Sequence, residues 1–454
     1  MRTTLLVFAF SCALTAQDAR PVIDNAAKAI GAADLKSIEY SGSGSAFTLG
    51  QSVNPNAAWP KVALKSYTRA VDYANTGYRE EALRVTPAGE QRQIQFVSGR
   101  HAWNMAGTNV TAAPAATAER LTQIWLTPHG FLKAAMANQA TVKSQKRGGA
   151  TMRVVSFTGH GKYKVYGYIG VQGTVDRVET WVENPVLGNM LVETDYSDYK
   201  DFGGVKFPTR IVQKQGGHPT LDLLVTAVKA NAASPLAVPA AVERAAAPAV
   251  RVDSEKIADG VWYLTGGSHH SVLVEFKDHV AVIEGPLNPE RSKAVIAEVK
   301  KLVPAKPLRY LINTHHHFDH SGGVRTFAAE GITVVTHAMN RPYYAKAFKG
   351  KFQTVADKRV MTDGARTMEL HLIKGNPHND AILMAYLPKE KLLVEVDVYS
   401  PAPPNAPPPA TPNPASVNLY ENVERLKLDV ERIVPLHGRI VPLAELKKAI
   451  GKGS

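Results

Sequence analysis

Residues 308–323 read LRYLINTHHHFDHSGG. The segment LRYLINT is a compact apolar strand, and it opens directly into a loop that carries His315, His317, Asp319 and His320 within six positions. Alternate side chains at a strand end point to one side, so His315 and His317 can converge on a single cation. Asp319 and His320 lie beyond the turn and can reach a second cation nearby. His316 should point away, because its two neighbours point inward. Neutral imidazole and carboxylate are ligands that zinc accepts, and unpaired they would be costly in a core.

Working outward, VWYLTG (261–266), SVLVEF (271–276) and HVAVIEG (279–285) read as short strands. An amphipathic helix follows around 290–302, where Val295, Ile296, Val299 and Leu302 share one face. Further strands are expected at 332–336, 367–373, 381–387, 392–398 and 431–435, with a helix near 416–428. Strands interleaved with helices predict helices packed on sheets, an α/β domain over 251–454. His337 and His371 fall at and inside strands and read as packed or hydrogen-bonded.

Residues 235–250, PLAVPAAVERAAAPAV, lack a clear period and read as an Ala/Pro-rich linker. Before it, residues 17–234 read as a mainly antiparallel β domain. Runs at 174–184, 190–199, 205–215 and 220–230 alternate between turn signals such as Gly203-Gly204 and Gly216-Gly217. Within this domain DYKDFGGVKFPTRI (198–211) weakly resembles periplasmic lipoprotein-carrier-type sheets. The first segment, MRTTLLVFAFSCALTAQDA, has Arg2, a short apolar run to Leu14 and the small Ala16. It reads as a secretory signal peptide over 1–16, which places the mature protein in the periplasm or outside the cell.

The whole chain has 454 residues, about two or three domains at roughly 150 residues each. Its 44% hydrophobic and 20% charged residues exclude collagen, bulk disorder and a multi-span membrane protein. The leader's apolar run is too short to span a bilayer, and no other stretch approaches about 18 consecutive apolar residues. The net charge of +13 is spread as +8 before residue 251 and +5 after it, with no aromatic-interleaved basic stripe. That distribution does not point to nucleic acid. Histidine is uneven: 11 of 15 lie after the linker, so histidine chemistry belongs to the C-terminal part. The single Cys12 sits in the leader and excludes a multi-thiolate metal site.

His-x-His-x-Asp-His after a buried strand, with Gly322-Gly323 next, resembles the signature of the metallo-β-lactamase superfamily of dinuclear zinc hydrolases. The resemblance covers about 255–440 and implies an αββα sandwich. It also implies the remaining ligands: His378 in GNPHND, Asp397 in LLVEVDV and His437 in IVPLHG. One zinc would be held by His315, His317 and His378, the other by Asp319, His320 and His437, with Asp397 between them. A shared hydroxide would attack the substrate, and Asp319 would move a proton as the catalytic carboxylate. Glu284 stands where the family usually has an Asp-Gly turn; Glu284 and Asp380 could support ligands from behind. His269 and His270 lie in a loop that rims the pocket by analogy, with Tyr399 near its entrance.

The absence of cysteine at 397 excludes thiolate-ligated β-lactamases, and Asp397 counts against the cysteine-free subclass. The reading is therefore an extracytoplasmic hydrolase of a small ester, lactone, amide or related small-molecule substrate. A cysteine-free-type β-lactamase is the first alternative. A non-catalytic ligand- or lipid-binding protein with a vestigial metal domain is the second. Two Zn2+ per chain are expected, with iron as the alternative to zinc. Eight prolines in 401–414 should keep that loop extended, as one wall of the substrate pocket. The sequence does not specify an oligomeric state.

Overall fold

In a computed structural model, the structure describes residues 17–86, 89–159, 163–233, 236–247, 249–404 and 406–453. The leader over 1–16 lies outside these. The chain forms two compact units interleaved in sequence. Of the described residues, one takes those in 17–46, 62–182 and 191–247; the other takes those in 47–61, 183–190 and 249–453.

The first unit is built on a 14-stranded sheet in which strand follows strand in meander order. Its last four hairpin-connected strands, Val175–Asn184, Gly188–Asp201, Lys206–Gln215 and His218–Ala230, occupy the alternating runs of the sequence. Strand His218–Ala230 then pairs antiparallel with Ser37–Phe47, joining the two halves of the sheet. Helices Arg20–Ile30 and Pro128–Ala137 cover one face. Ile23, Ala26, Ala27 and Ile30 recur at helical spacing and are buried together with Phe131 and Leu132. No helix among the described residues is long and apolar enough to cross a membrane.

The second unit has two facing sheets. The seven-stranded sheet begins as an antiparallel run, Asp253–Ala258, Val261–Thr265, Ser271–Glu275 and Val280–Ile283. It continues in parallel through Leu308–Ile312, Thr333–His337 and Phe352–Val355. The six-stranded sheet includes Thr367–Leu372, Leu383–Leu387, Leu392–Glu395 and Arg432–Pro435, the last two parallel. Val272, Val274 and Ile283 of the first sheet meet Leu370, Leu383 and Val394 of the second in one apolar core. Helix Pro289–Leu302 covers the outer face of the first sheet through Val295, Ile296 and Val299. Its start is fixed by Asn288, whose side chain accepts from the Arg291 N–H, and Lys300 and Lys301 lie near its C-terminal dipole. Helix Pro414–Leu426 packs on the second sheet through Leu419 and Val423. The result is an αββα sandwich, with loops leaving the carboxyl ends of its parallel strands at one edge.

Candidate metal centre

Four strand ends deliver the site. Strand Leu308–Ile312 runs into Asn313, Thr314 and the histidine loop; Val280–Ile283 runs into Glu284; Leu392–Glu395 into Asp397; Arg432–Pro435 into His437. The histidine loop turns tightly because Gly322 and Gly323 let it seat on the neighbouring turn. A Cβ at Gly322 would lie 1.9 Å from the Leu287 carbonyl oxygen, and one at Gly323 would lie 1.8 Å from Ser292 Oγ. Two backbone bonds close the seat, Leu287 N–H to Asp319 O at 2.7 Å and Gly323 N–H to Gly285 O at 2.8 Å.

Asp397 stands at the middle. Its backbone is left-handed, with φ of 61°, a conformation Asp tolerates better than most side chains. Its Oδ2 lies 3.4 Å from His315 Nε2, 3.0 Å from His320 Nε2 and 3.1 Å from His378 Nε2, while its Oδ1 lies 2.9 Å from His437 Nε2. Burial opposes ionisation of this carboxyl, but the surrounding imidazoles, His315 foremost, hold it far below the carboxylate range. Two groups of ligand atoms cluster within 4.8 Å: His315, His317, His378 and Asp397 in one; His269, His320 and His437 in the other.

The imidazoles are oriented from behind. His317 Nε2 lies 2.9 Å from the Ser52 carbonyl oxygen, so that nitrogen carries the proton and Nδ1 turns its lone pair into the cluster. His437 Nδ1 is likewise 3.0 Å from the Ser268 carbonyl, which leaves Nε2 free as a ligand. His315 Nε2, His317 Nδ1 and His378 Nε2 are shielded from solvent and lack a hydrogen-bond partner. Buried lone pairs aimed at one another are costly when nothing sits between them, and a divalent cation would satisfy them. The donor set therefore fits metal.

Asp319 is 3.7 Å from His320 Nε2 and 3.4 Å from His269 Nε2 through Oδ2. Its Oδ1 accepts from the Gln51 side-chain amide at 2.8 Å. Burial pushes this carboxyl up, but His269, His320 and Gln51 together hold it below its ordinary range. Glu284 is completely buried and left-handed, with φ of 71°. It accepts from Asn313 Nδ2 at 3.1 Å and from the Thr314 hydroxyl, bracing the strand end that launches the histidines. Burial raises it to about 7.

His316 joins neither cluster; its Nε2 meets Ser52 Oγ at 3.1 Å and its Nδ1 meets Asn379 Nδ2 at 3.2 Å. His270 stays outside both clusters, with its ring 5.0 Å from that of Tyr263. Asp380 is exposed; its carboxylate accepts from Asn54 Nδ2 at 2.8 Å and its N–H donates to the Val53 carbonyl at 2.7 Å. Tyr399 is buried and lines a cavity of about 310 Å³ with Pro403, Pro407, Arg439 and Lys448; none of the seven candidate ligands lines it.

Two features escape a reading of the sequence alone. His269 belongs with His320 and His437 as a possible ligand atom, which a loop His-His pair does not announce. The segment 47–61, far upstream, belongs to this unit and supplies Gln51, Ser52 and Asn54 to the site. Gly50 anchors it at φ of 70°, where a Cβ would strike the Phe318 ring at 2.3 Å.

Comparison with known proteins gives a match to part of the chain. The metallo-beta-lactamase superfamily profile matches residues 264–430. The 2,4-dinitroanisole O-demethylase subunit alpha of Nocardioides sp. (strain JS1661) is 26% identical over 151 residues, 32% of this chain and 45% of that protein. The chain thus spans about half the length of the curated relative it matches. Among solved structures, a metallo-beta-lactamase from Pontibacter korlensis is 20% identical, with a TM-score of 0.38 over 44% of this chain and 98% of that one. One from Hirschia baltica is 19% identical, with a TM-score of 0.36 over 44% of this chain and 95% of that one. Residues 264–430, somewhat over a third of the chain, are thus similar to the metallo-beta-lactamase superfamily.

Proposed function

We propose that the chain is a metal-dependent hydrolase that uses two zinc ions, outside the cytoplasm, to cleave a small ester, lactone, amide or related substrate. The observation that carries this reading is the convergence of imidazoles on Asp397, with His315 Nε2, His317 Nδ1 and His378 Nε2 buried and without a hydrogen-bond partner. His315, His317 and His378 would hold one ion; His320 and His437, with Asp319 or His269, would hold the other; Asp397 would lie between. Bound divalent ions supply Lewis acidity and make water a competent nucleophile near neutral pH.

The chain's own residues supply the rest. Asp319 Oδ2 faces His320 and His269 at the cluster, where it can take the proton released by the nucleophile and pass it to the leaving group. Gln51 fixes the other oxygen of that carboxylate, which keeps Oδ2 turned toward the cluster. Ser52 and Ser268 carbonyls hold the tautomers of His317 and His437. The extracytoplasmic location rests on the leader-like start of the sequence, and the prolines of 401–414 with Tyr399 are the proposed substrate-selecting wall.

A hydrolysis screen on the purified chain tests the proposal, with lactone, thioester, phosphodiester and β-lactam panels. The screen includes 2,4-dinitroanisole, after the name of the curated relative. Turnover of one class that chelation abolishes and zinc restores is the expected result, with Asp319→Asn inactive but folded. A metal-free, inactive protein would refute it and favour a binding role.

A further inference from the structure

The first unit contains a cavity of about 300 Å³ that none of the metal-site residues lines. Its wall is unlike the apolar core beside it. Along strand Gly77–Thr86 the side chains of Tyr78, Glu80, Ala82 and Arg84 share one face, and Arg69 and Tyr67 come from the neighbouring strand Lys61–Asp72. Glu80 sits directly opposite Arg69 in the register, and Ala82 opposite Tyr67.

This face carries a buried polar network. Arg69 pairs with Glu80, their side chains 11% and 15% exposed, and the Tyr67 hydroxyl donates to the same carboxylate at 2.8 Å. Arg69 also lies 5.0 Å from the centre of the Tyr78 ring. Taking such a pair out of water costs several kcal/mol that packing apolar groups would not, so it contributes poorly to stability alone. Gln95 stands beside Glu80 in the next strand, and Gln213, which donates to Gln123 at 3.1 Å and to Thr194 at 3.0 Å, lines the cavity with Thr220.

The charges in this wall do not balance. Glu80 is taken by Arg69 and Tyr67. Arg120 is spent on the carbonyls of Phe96 and Trp103 and on Asn104 Oδ1. Glu119, on helix Thr117–Trp125, also lines the cavity but opens to solvent, so three guanidinium groups face two carboxylates. Arg84 is left over: among the described residues its guanidinium makes no ion pair, and its Nε is closed to solvent with no acceptor. A partly buried guanidinium in a polar cavity, with amide and hydroxyl groups in the same lining, is a receptor for a planar anion. The volume is at the small end of ligand sites, too small and too polar for a lipid chain.

We propose that this cavity is a binding site for a compact polar carboxylate, whose carboxylate group pairs with Arg84 while its other polar groups meet Gln95 and Gln213. The site is separate from the metal centre and does not depend on the hydrolase reading.

Calorimetric titration of the full, metal-loaded chain tests it, with L-malate as the probe, its uncharged diamide as control and n-dodecyl maltoside as the lipid-like competitor. Saturable malate binding is expected, with none for the diamide or the detergent. Arg84→Gln should weaken malate at least about tenfold, the cost of one charged pair, and Arg84→Lys should restore part of it. Metal content and hydrolysis should be the same in all three proteins. Four results would overturn the proposal: no saturable malate binding, equal binding of the diamide, binding of the detergent alone, or malate affinity unchanged in Arg84→Gln. The last would place malate elsewhere, the metal centre included. If Arg84→Gln fails to fold, the diamide control and Arg84→Lys still decide the matter.

Discussion

Replacing Gln51 by Ala isolates the contribution of the upstream segment to the site. The amide donates to Asp319 Oδ1 at 2.8 Å, and the Asp319 side chain is 37% exposed. A hydrogen bond to a charged group is worth about 1.5–3 kcal/mol net when buried. Water can reach this carboxylate and replace part of the bond, so about 1–2 kcal/mol is the working figure. That converts to roughly a 5- to 30-fold loss in kcat/KM for whichever substrate the screen identifies. Gln51→Glu should lose more, since it sets one carboxylate against another. Cobalt(II) titration with absorption readout gives a second measure: the second equivalent should bind more weakly in both variants and the first should not. Melting temperature should move little, because Gln51 touches no core residue in this contact. Wild-type kcat/KM and wild-type cobalt binding in Gln51→Ala would refute the idea that this segment completes the site.

Three more outcomes follow from particular contacts. Asp397→Ala removes the one carboxylate shared by four imidazoles, so metal analysis of the purified variant should show both sites largely empty. Gly323→Ala places a methyl 1.8 Å from Ser292 Oγ and 2.7 Å from the Gly285 carbonyl; a loss of about 1–3 kcal/mol should appear in denaturant melts. His129 is fully buried, with Nε2 on the Ile30 carbonyl at 3.1 Å, and burial lowers it from 6.5 to about 4. The unfolded chain therefore takes up this proton first as pH falls. His129 should cost about 3 kcal/mol of stability between pH 6.5 and about 4, and none above that window. His129→Gln should flatten that part of the stability profile, as read by urea melts at stepped pH.

The metal-binding unit was largely legible because its signals are local. An apolar strand ending in His-x-His-x-Asp-His states both the element and the side to which its side chains point. Strands such as Thr333–His337 and Leu383–Leu387 stand within a residue or two of their apolar runs. Gln51 and Ser52 were not legible. They meet Asp319 and His317 across 268 and 265 positions, and the stretch GQSVNPN reads only as a turn. In the first unit, helix Pro128–Ala137 is buried almost all round, so it lacks the polar stripe that marks an amphipathic helix. Helix Arg20–Ile30 does carry that stripe, at Ile23, Ala26, Ala27 and Ile30, but it directly follows an apolar leader-like run that dominates a reading of the region. The charged wall of the cavity was hidden for another reason. Arg69, Glu80 and Arg84 alternate with other residues as a solvent-facing row would, and only the register shows them sharing an enclosed face.

Anomalous diffraction at the zinc edge, on crystals of the full chain grown with zinc, tests the central claim most directly. Two peaks should flank Asp397, one among His315, His317 and His378 and the other against His320 and His437. The second peak will also show whether Asp319 or His269 completes that site. A single peak, or peaks away from Asp397, would contradict the two-metal centre.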